Sequence, residues 1–316
     1  MSTNAHRCGT VAIIGRPNVG KSTLLNRFLG QKIAIVSPKP ETTRERLLGI
    51  LTLPNAQVLF QDTPGIYRGV KTLLAKHQVQ AAREALEQAD VVLMLTEAHM
   101  GIIDEDPQIM KMLPRQETTP VFLGINKVDR IERARVLPQI EQAAHLFPFR
   151  EIFPLSATKG ENVEPLLKAL VSALPPGPPL YPPDQVTDRP IRSMVQELVR
   201  EKALIFTHEE IPHAVAVVID EWRAGQPSAR KGSAVPADEA QAPSTPATYI
   251  RATIYLERDS QKRILIGKDG GLLKMIGQAA RKEIEELIEG PVYLDLWVKV
   301  EQNWRKDPQI LKRLGY

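Results

Sequence analysis

The stretch Gly15-Arg16-Pro17-Asn18-Val19-Gly20-Lys21-Ser22 has the spacing G-x-x-x-x-G-K-[ST], and Thr23 follows it. Glycines at such a turn let backbone N–H groups point at phosphate oxygens without a side-chain clash. An apolar run, Val11–Ile14, precedes the turn, and a helical pattern, Lys21–Leu29, follows it. That is the strand–turn–helix context this motif requires. The helix N-terminus adds the positive end of its dipole. Lys21 is expected to reach the β- and γ-phosphates of a nucleotide, and the Ser22 hydroxyl to ligate Mg²⁺. All of Gly15 to Thr23 is thus expected to touch the nucleotide. The loop alone does not say which base is bound.

Downstream residues address the metal and the base. Asp62-Thr63-Pro64-Gly65 ends a second apolar run. A carboxylate there can hold Mg²⁺ through water, and Gly65 can offer its N–H to the γ-phosphate. Between these motifs lies Pro40-Glu41-Thr42-Thr43-Arg44, where either threonine can close on Mg²⁺. Thr43 is the expected ligand. Lys21, Thr43, Asp62 and Gly65 form the expected catalytic set, with Ser22, Thr43 and Asp62 around Mg²⁺. Asn126-Lys127-Val128-Asp129 follows the apolar run Val121–Ile125. The Asp129 carboxylate can accept two hydrogen bonds from the N1–H and N2–H₂ edge of guanine. Adenine offers no such pair and would leave Asp129 unpaired, which is costly in a closed site. Asn126 can position the base and tie loops together, with Lys127 beside it. In Ser156-Ala157-Thr158 the backbone N–H of Ala157 is expected to meet guanine O6.

The second half carries a different signal. In Ile264-Leu265-Ile266-Gly267-Lys268-Asp269-Gly270-Gly271-Leu272-Leu273-Lys274-Met275-Ile276 two helical patterns meet at a G-x-x-G turn. Gly267 and Gly270 let a nucleic-acid backbone approach, and Lys268 with the helix N-terminus supplies positive potential. Ile266, Gly267, Lys268, Asp269, Gly270 and Lys274 are the expected RNA contacts, above an apolar floor of Ile264, Leu265, Leu272, Leu273 and Ile276. Lys262, Arg263, Arg281 and Lys282 surround the turn, a density that suits phosphate. His208 and His213 are expected to be structural or solvated rather than functional.

The intervening elements must place these residues. Leu47–Leu53 and Gln57–Gln61 read as a strand pair, Val91–Thr96, Pro120–Ile125 and Ile152–Leu155 as strands. Lys76–Gln88, Val136–Leu146 and Val163–Leu174 read as helices. Alternating strands and helices predict an α/β domain with a mostly parallel sheet over residues 1–175. Residues 176–190 are Pro-rich and predict a semi-rigid linker. A smaller α+β domain follows over residues 191–316. In it, helix Ile191–Phe206 precedes strands Ala214–Trp222 and Tyr249–Glu257. Helices Lys262–Ile266 and Leu272–Glu289, strand Val292–Val300 and helix Pro308–Leu314 complete it. Residues 223–247, rich in Ala, Pro, Ser and Gly, predict a disordered insertion.

Bulk properties exclude other classes. The 316 residues are 43% hydrophobic with a net charge of +4, an ordinary globular balance. The one cysteine, Cys8, can form no internal disulfide and is expected to be a solvent-near thiol without a role. No apolar run reaches the ~18 residues that span a bilayer. The histidines lack ligand spacing, so no structural metal is expected.

The ordered nucleotide motifs resemble the translation-factor-related class of GTPases, and the G-R-P-N-V-G-K-S and T-T-R spellings are similar to its Era-like group. The order helix, strand, strand, helix, G-x-x-G, helix, strand resembles a type II KH domain. The two together look like the Era family of bacterial ribosome-associated GTPases over nearly the whole chain, from which the 223–247 insertion departs. The resemblance implies GTP/GDP and Mg²⁺ as ligands. It implies the 3′ region of 16S-type ribosomal RNA and the small ribosomal subunit as partners, with a role in assembling that subunit. It further implies a peripheral association with the inner membrane; low cysteine use suits the cytoplasm, and a monomer is expected. GTPases of tRNA modification or large-subunit assembly are the other reading; they carry other appended domains or lack G-x-x-G. Ile66 stands where some GTPases place a water-orienting Gln. GTPases with an apolar residue there often use K⁺. Asn18 stands where such enzymes place a K⁺ ligand, and it can equally serve only to shape the turn.

Overall fold

The computed structural model describes residues 6–37, 39, 43, 46–66, 73–114, 117–208, 211–224 and 247–314; for residues 73–75, 212 and 213 it describes the backbone alone. The chain divides into two compact units after Arg189.

Among the described residues of the first unit, β1 (Arg7–Gly15), α1 (Lys21–Leu29), β2 (Leu47–Leu53), β3 (Ala56–Asp62), α2 (Leu73–Glu87), β4 (Val91–Glu97), α3 (Asp106–Met110), β5 (Val121–Asn126), α4 (Val136–Leu146), β6 (Glu151–Pro154) and α5 (Val163–Ala173) follow in order. The sheet order is β2-β3-β1-β4-β5-β6. All neighbours are parallel except β2 and β3, which pair antiparallel. Central strands of such sheets are covered on both faces and so read as continuous apolar runs. Val11 to Ile14 and Val91 to Leu95 are fully buried. The register aligns Ile13 with Asp62, Gly15 with Leu95, and Glu97 with Asn126. Among the described residues, the nucleotide motifs therefore leave the carboxyl edge of this one sheet, where open α/β folds bind ligands.

Two expectations need correction here. β1 starts at Arg7 rather than Val11, so Cys8 lies inside a strand and is only 7% exposed. Its burial pushes the thiol pKa up, and the thiol is not solvent-near. The Pro-rich stretch is fastened to the first unit along its length. Cys8 N–H donates to Pro175 O at 3.1 Å and Gly177 N–H to His6 O at 2.9 Å. Ile50 N–H donates to Val186 O at 2.8 Å, and Thr187 Oγ1 to Leu48 O at 2.8 Å. The fully buried Gln57 accepts from the N–H groups of Leu180 and Tyr181 at 2.7 and 2.9 Å and donates to Tyr181 O at 2.9 Å. The Val186 carbonyl satisfies an outward donor of β2, and the segment blunts an edge that would otherwise pair with another chain.

The second unit holds α6 (Ile191–Phe206), α7 (Ile211–Ala214), β7 (Ala216–Arg223), β8 (Thr248–Leu256), α8 (Asp259–Ile266), α9 (Gly271–Ile288), β9 (Val292–Val300) and α10 (Pro308–Arg313). β7 pairs antiparallel and β9 parallel with β8. Ile250, Ala252, Ile254 and Leu256 alternate inward against Val195 and Val199 of α6 and Ile276, Ala280 and Ile284 of α9. That spacing, one turn apart on α9 and two apart on β8, is the period each element needs to bury one face. Trp304 is fully buried and donates to Ala214 O at 2.9 Å, which ties the chain's end to this core. His208 is exposed. The side chain of His213, and residues 225–246 of the expected insertion, lie outside the described residues. No helix among the described residues is long and apolar enough to cross a membrane.

Truncating Gln57 to Ala should strip part-buried backbone groups of residues 180–181 of their partner, at about 1 kcal/mol. Limited proteolysis should then cut between residues 180 and 190 well before it cuts the wild-type chain there. An unchanged digestion pattern would mean that the segment is held by other contacts.

Candidate functional site: a phosphate-loop cleft and a G-x-x-G groove

A cleft of about 500 Å³ opens at the carboxyl edge of the larger sheet, walled by Pro17, Asn18, Gly20 to Thr23, Thr43, Gly65, Asn126, Lys127, Ala157 and Thr158. The loop from Gly15 to Lys21 curls by means of Gly20 at φ 102° and Asn18 at φ 61°. A Cβ on Gly20 would stand 2.2 Å from Asn126 Nδ2, so only glycine lets that amide pass. Asn126 Nδ2 donates to Val19 O at 2.8 Å, and its Oδ1 accepts from Ala157 N–H at 3.0 Å. Lys127 extends the clamp: its Nζ donates to Asn18 O at 2.7 Å and pairs with Glu97 at 2.8 Å. The ends of β4, β5 and β6 thereby hold the phosphate loop from one side.

Lys21 donates to Gly15 O at 3.1 Å and Arg16 O at 2.8 Å from a buried position. Burial lowers its pKa to about 8, against the pull of Asp62 in the other direction. Phosphate oxygens would relieve that desolvation. Burial likewise raises the Asp62 carboxyl, opposed by Lys21. Asp62 Oδ2 accepts from Ser22 Oγ at 2.6 Å, and Ser22 Oγ lies 3.0 Å from Thr43 Oγ1. Asp62 Oδ1 is buried without a partner. One orphaned carboxylate oxygen beside two hydroxyls is an oxygen set that suits Mg²⁺, which takes few protein ligands and leans on substrate phosphates. Among the described residues no group of three or more His, Cys, Asp or Glu side chains is placed for a metal.

Some expected contacts stand elsewhere. The Arg16 side chain turns back from the cleft and pairs with buried Asp106 at 2.8 Å. Val19, Thr63, Pro64 and Ser156 are buried beneath the cleft; Thr63 Oγ1 donates to Ile13 O at 2.8 Å. Ala157 N–H, expected at guanine O6, is already engaged by Asn126. Asp129 is exposed on the single-turn helix Val128–Arg130. Glu97, Arg130, Ile35, Val36 and Ser37, which lie outside the motifs, also wall the cleft. Glu97 could have been found as a carboxylate ending a buried strand.

In the second unit Gly267, at φ 74° and ψ 178°, ends α8, and a Cβ there would lie 2.8 Å from Leu272 Cβ. Lys268 to Gly270 form one tight turn with Asp269 at φ 52°, and α9 starts at Gly271. Leu265 and Ile276 are fully buried beneath the turn, with Leu272 and Leu273 half-buried. Ile264 departs from the expected floor: it is 56% exposed. A groove of about 390 Å³ runs from Gly270 between α9 and β9, past Lys274, Gln278 and Arg281 on one side and Tyr293, Leu294 and Leu296 on the other. Of the expected contacts only Gly270 and Lys274 wall it. The β9 side was invisible from the motif, because pairing β9 beside α9 is a property of the fold.

Comparison with known proteins accounts for both sites. The family described as 50S ribosome-binding GTPase matches residues 10–127, and the KH domain family matches residues 241–305. The chain is 46% identical to GTPase Era of Geobacter metallireducens over the full length of both. It is 46% identical to GTPase Era of Lacticaseibacillus paracasei over 98% of this chain and 97% of that one. A crystal structure of Era in complex with MgGDPNP and nucleotides 1506–1542 of 16S ribosomal RNA superposes with a TM-score of 0.89 at 42% identity, covering 98% of this chain and 99% of that one. A variant of Aquifex aeolicus Era bound to GDP and AlF4⁻ gives 0.89 at 41% identity with the same coverage. The chain belongs to the Era family of GTPases.

Proposed function

We propose that this GTPase is a nucleotide-controlled switch that binds the 3′ region of small-subunit ribosomal RNA and acts in assembly of that subunit. The observation that carries this reading is the presence in one chain of the clamped phosphate-loop cleft and the G-x-x-G groove. A relative alike over almost its whole length holds MgGDPNP and 16S RNA together. In this reading Lys21 and the loop amides bind the β- and γ-phosphates, and Asp129 accepts from the guanine edge. Ser22, Thr43 and, through water, Asp62 hold Mg²⁺, which neutralises charge developing on the phosphates. The G-x-x-G turn favours this function over tRNA modification or large-subunit assembly, whose enzymes carry other appendages or lack it. Association with the inner membrane face rests on family resemblance alone.

The reading of hydrolysis turns on Ile66. It is 8% exposed and packs with Ala82, Ala85 and Leu86 beneath the cleft. An apolar side chain held there cannot orient a water. A K⁺ ion ligated by Asn18 at the cleft mouth would offset the charge that develops between the β- and γ-phosphates.

Two measurements test these readings. Gly270→Asp puts a carboxylate where a phosphate backbone should pass, into space where a Cβ meets nothing within 4 Å. Affinity for single-stranded RNA of the 16S 3′ region should drop at least tenfold while RNA-free GTP hydrolysis stays near wild type. Gly270→Asn, uncharged and tolerant of positive φ, should lose less. Equal RNA affinity in all three proteins would sink the KH reading. Hydrolysis should also run faster in KCl than in NaCl at equal ionic strength, and Asn18→Ala should remove the difference. Equal rates in both salts for the wild-type enzyme would refute the K⁺ site.

A further inference from the structure

The face of the three-stranded sheet turned away from α6 and α9 carries a row of residues of which only Tyr293 also walls the groove. Tyr293 and Trp297 of β9 are 63% and 51% exposed. The rings of Tyr249 and Tyr293 stack at 5.8 Å between centroids and 14° between planes. The Arg251 guanidinium lies 5.7 Å from the Tyr249 ring centre and 5.6 Å from that of Trp297. Asp295 fixes all three neighbours: it accepts from Tyr249 Oη at 2.8 Å, Arg251 Nε at 3.0 Å and Trp297 Nε1 at 3.1 Å. The result is a row of ring, ring, guanidinium and ring in which Tyr249, Arg251 and Trp297 are held by one carboxylate.

We infer that this row is a stacking platform for unpaired RNA bases, adjoining the G-x-x-G groove and extending it. Three observations carry the choice of partner. Tyr293 belongs to both surfaces, walling the groove and stacking in the row, so a strand that leaves the groove across edge strand β9 meets the platform next. The guanidinium is compensated by Asp295 and, at 3.6 Å, by Glu221. What is offered is therefore flat π-surface rather than net charge, and base stacking on aromatic and guanidinium planes needs only that. Finally, a KH clamp grips about four nucleotides, whereas the relative's RNA runs from nucleotide 1506 to 1542. An RNA of that length has nucleotides beyond the clamp for the platform to take.

The inference rests on the KH reading, so the test separates the two. The full chain is titrated with the RNA of nucleotides 1506–1542 and with the shortest fragment of it that the wild-type chain still binds. Trp297→Ala should weaken the long RNA at least fivefold and the short one less than twofold. Trp297→Phe, which keeps a ring, should restore most of the loss. Irradiation of the wild-type complex with 4-thiouridine-substituted long RNA should crosslink within residues 293–297. Unchanged affinity for the long RNA overturns the platform. Equal weakening of both RNAs overturns it too, as a sign of a distorted sheet. A change of oligomeric state on Trp297→Ala with RNA affinity intact would make this face a contact between copies and overturn the proposal. Failure of the wild-type chain to bind either RNA overturns the KH reading as well.

Discussion

One side chain joins the parts of the nucleotide cleft. The Asn126 amide spans from Val19 O in the phosphate loop to Ala157 N–H in the loop after β6, at 2.8 and 3.0 Å. Both of its ends are buried and satisfied, and a buried amide left unpaired would cost about 1–3 kcal/mol at each lost partner. The bridge is possible only because position 20 is glycine; any Cβ would occupy the space of Nδ2. Two residues more than a hundred positions apart are thus required by one contact. Lys127 repeats the tie one residue on, from Glu97 to Asn18 O.

The electrostatics of the cleft follow from the burial of its charged groups. Lys21 and Asp62 are both buried, and burial works against the charge of each while each supports the other. Such a pair is held at a cost that a polyphosphate and Mg²⁺ would relieve, since each brings the charge its protein partner lacks. The unpartnered Asp62 Oδ1 marks where that relief is needed. Arg16, by contrast, spends its charge on Asp106 behind the loop.

Most of the architecture was legible because its signals are local. The apolar run Val91–Leu95, the G-x-x-x-x-G-K-S turn and the i, i+4 spacing of Ile276, Ala280 and Ile284 each encode their own environment. Helix Ile191–Phe206 and strand Val292–Val300 fall where the pattern put them. What was missed depends on distant pairing. Nothing near Cys8 says that Pro175 will cover it, and nothing in the proline run says that Gln57 will bind it. Ala157 N–H looked free for a base because its partner comes from another loop. Tyr293 and Trp297 fit any strand pattern, and only the pairing of β9 at the sheet edge gives them an open face.

The central claim is that Asn126 makes phosphate loop and base loop one body, rather than acting on the base alone. Calorimetric titration of Asn126→Ala with tripolyphosphate, a ligand with no base, tests this most directly. If the bridge shapes the phosphate loop, tripolyphosphate affinity should fall at least tenfold, together with that for GTP. Wild-type tripolyphosphate affinity alongside weakened GTP binding would contradict the account, because Asn126 would then serve only the base.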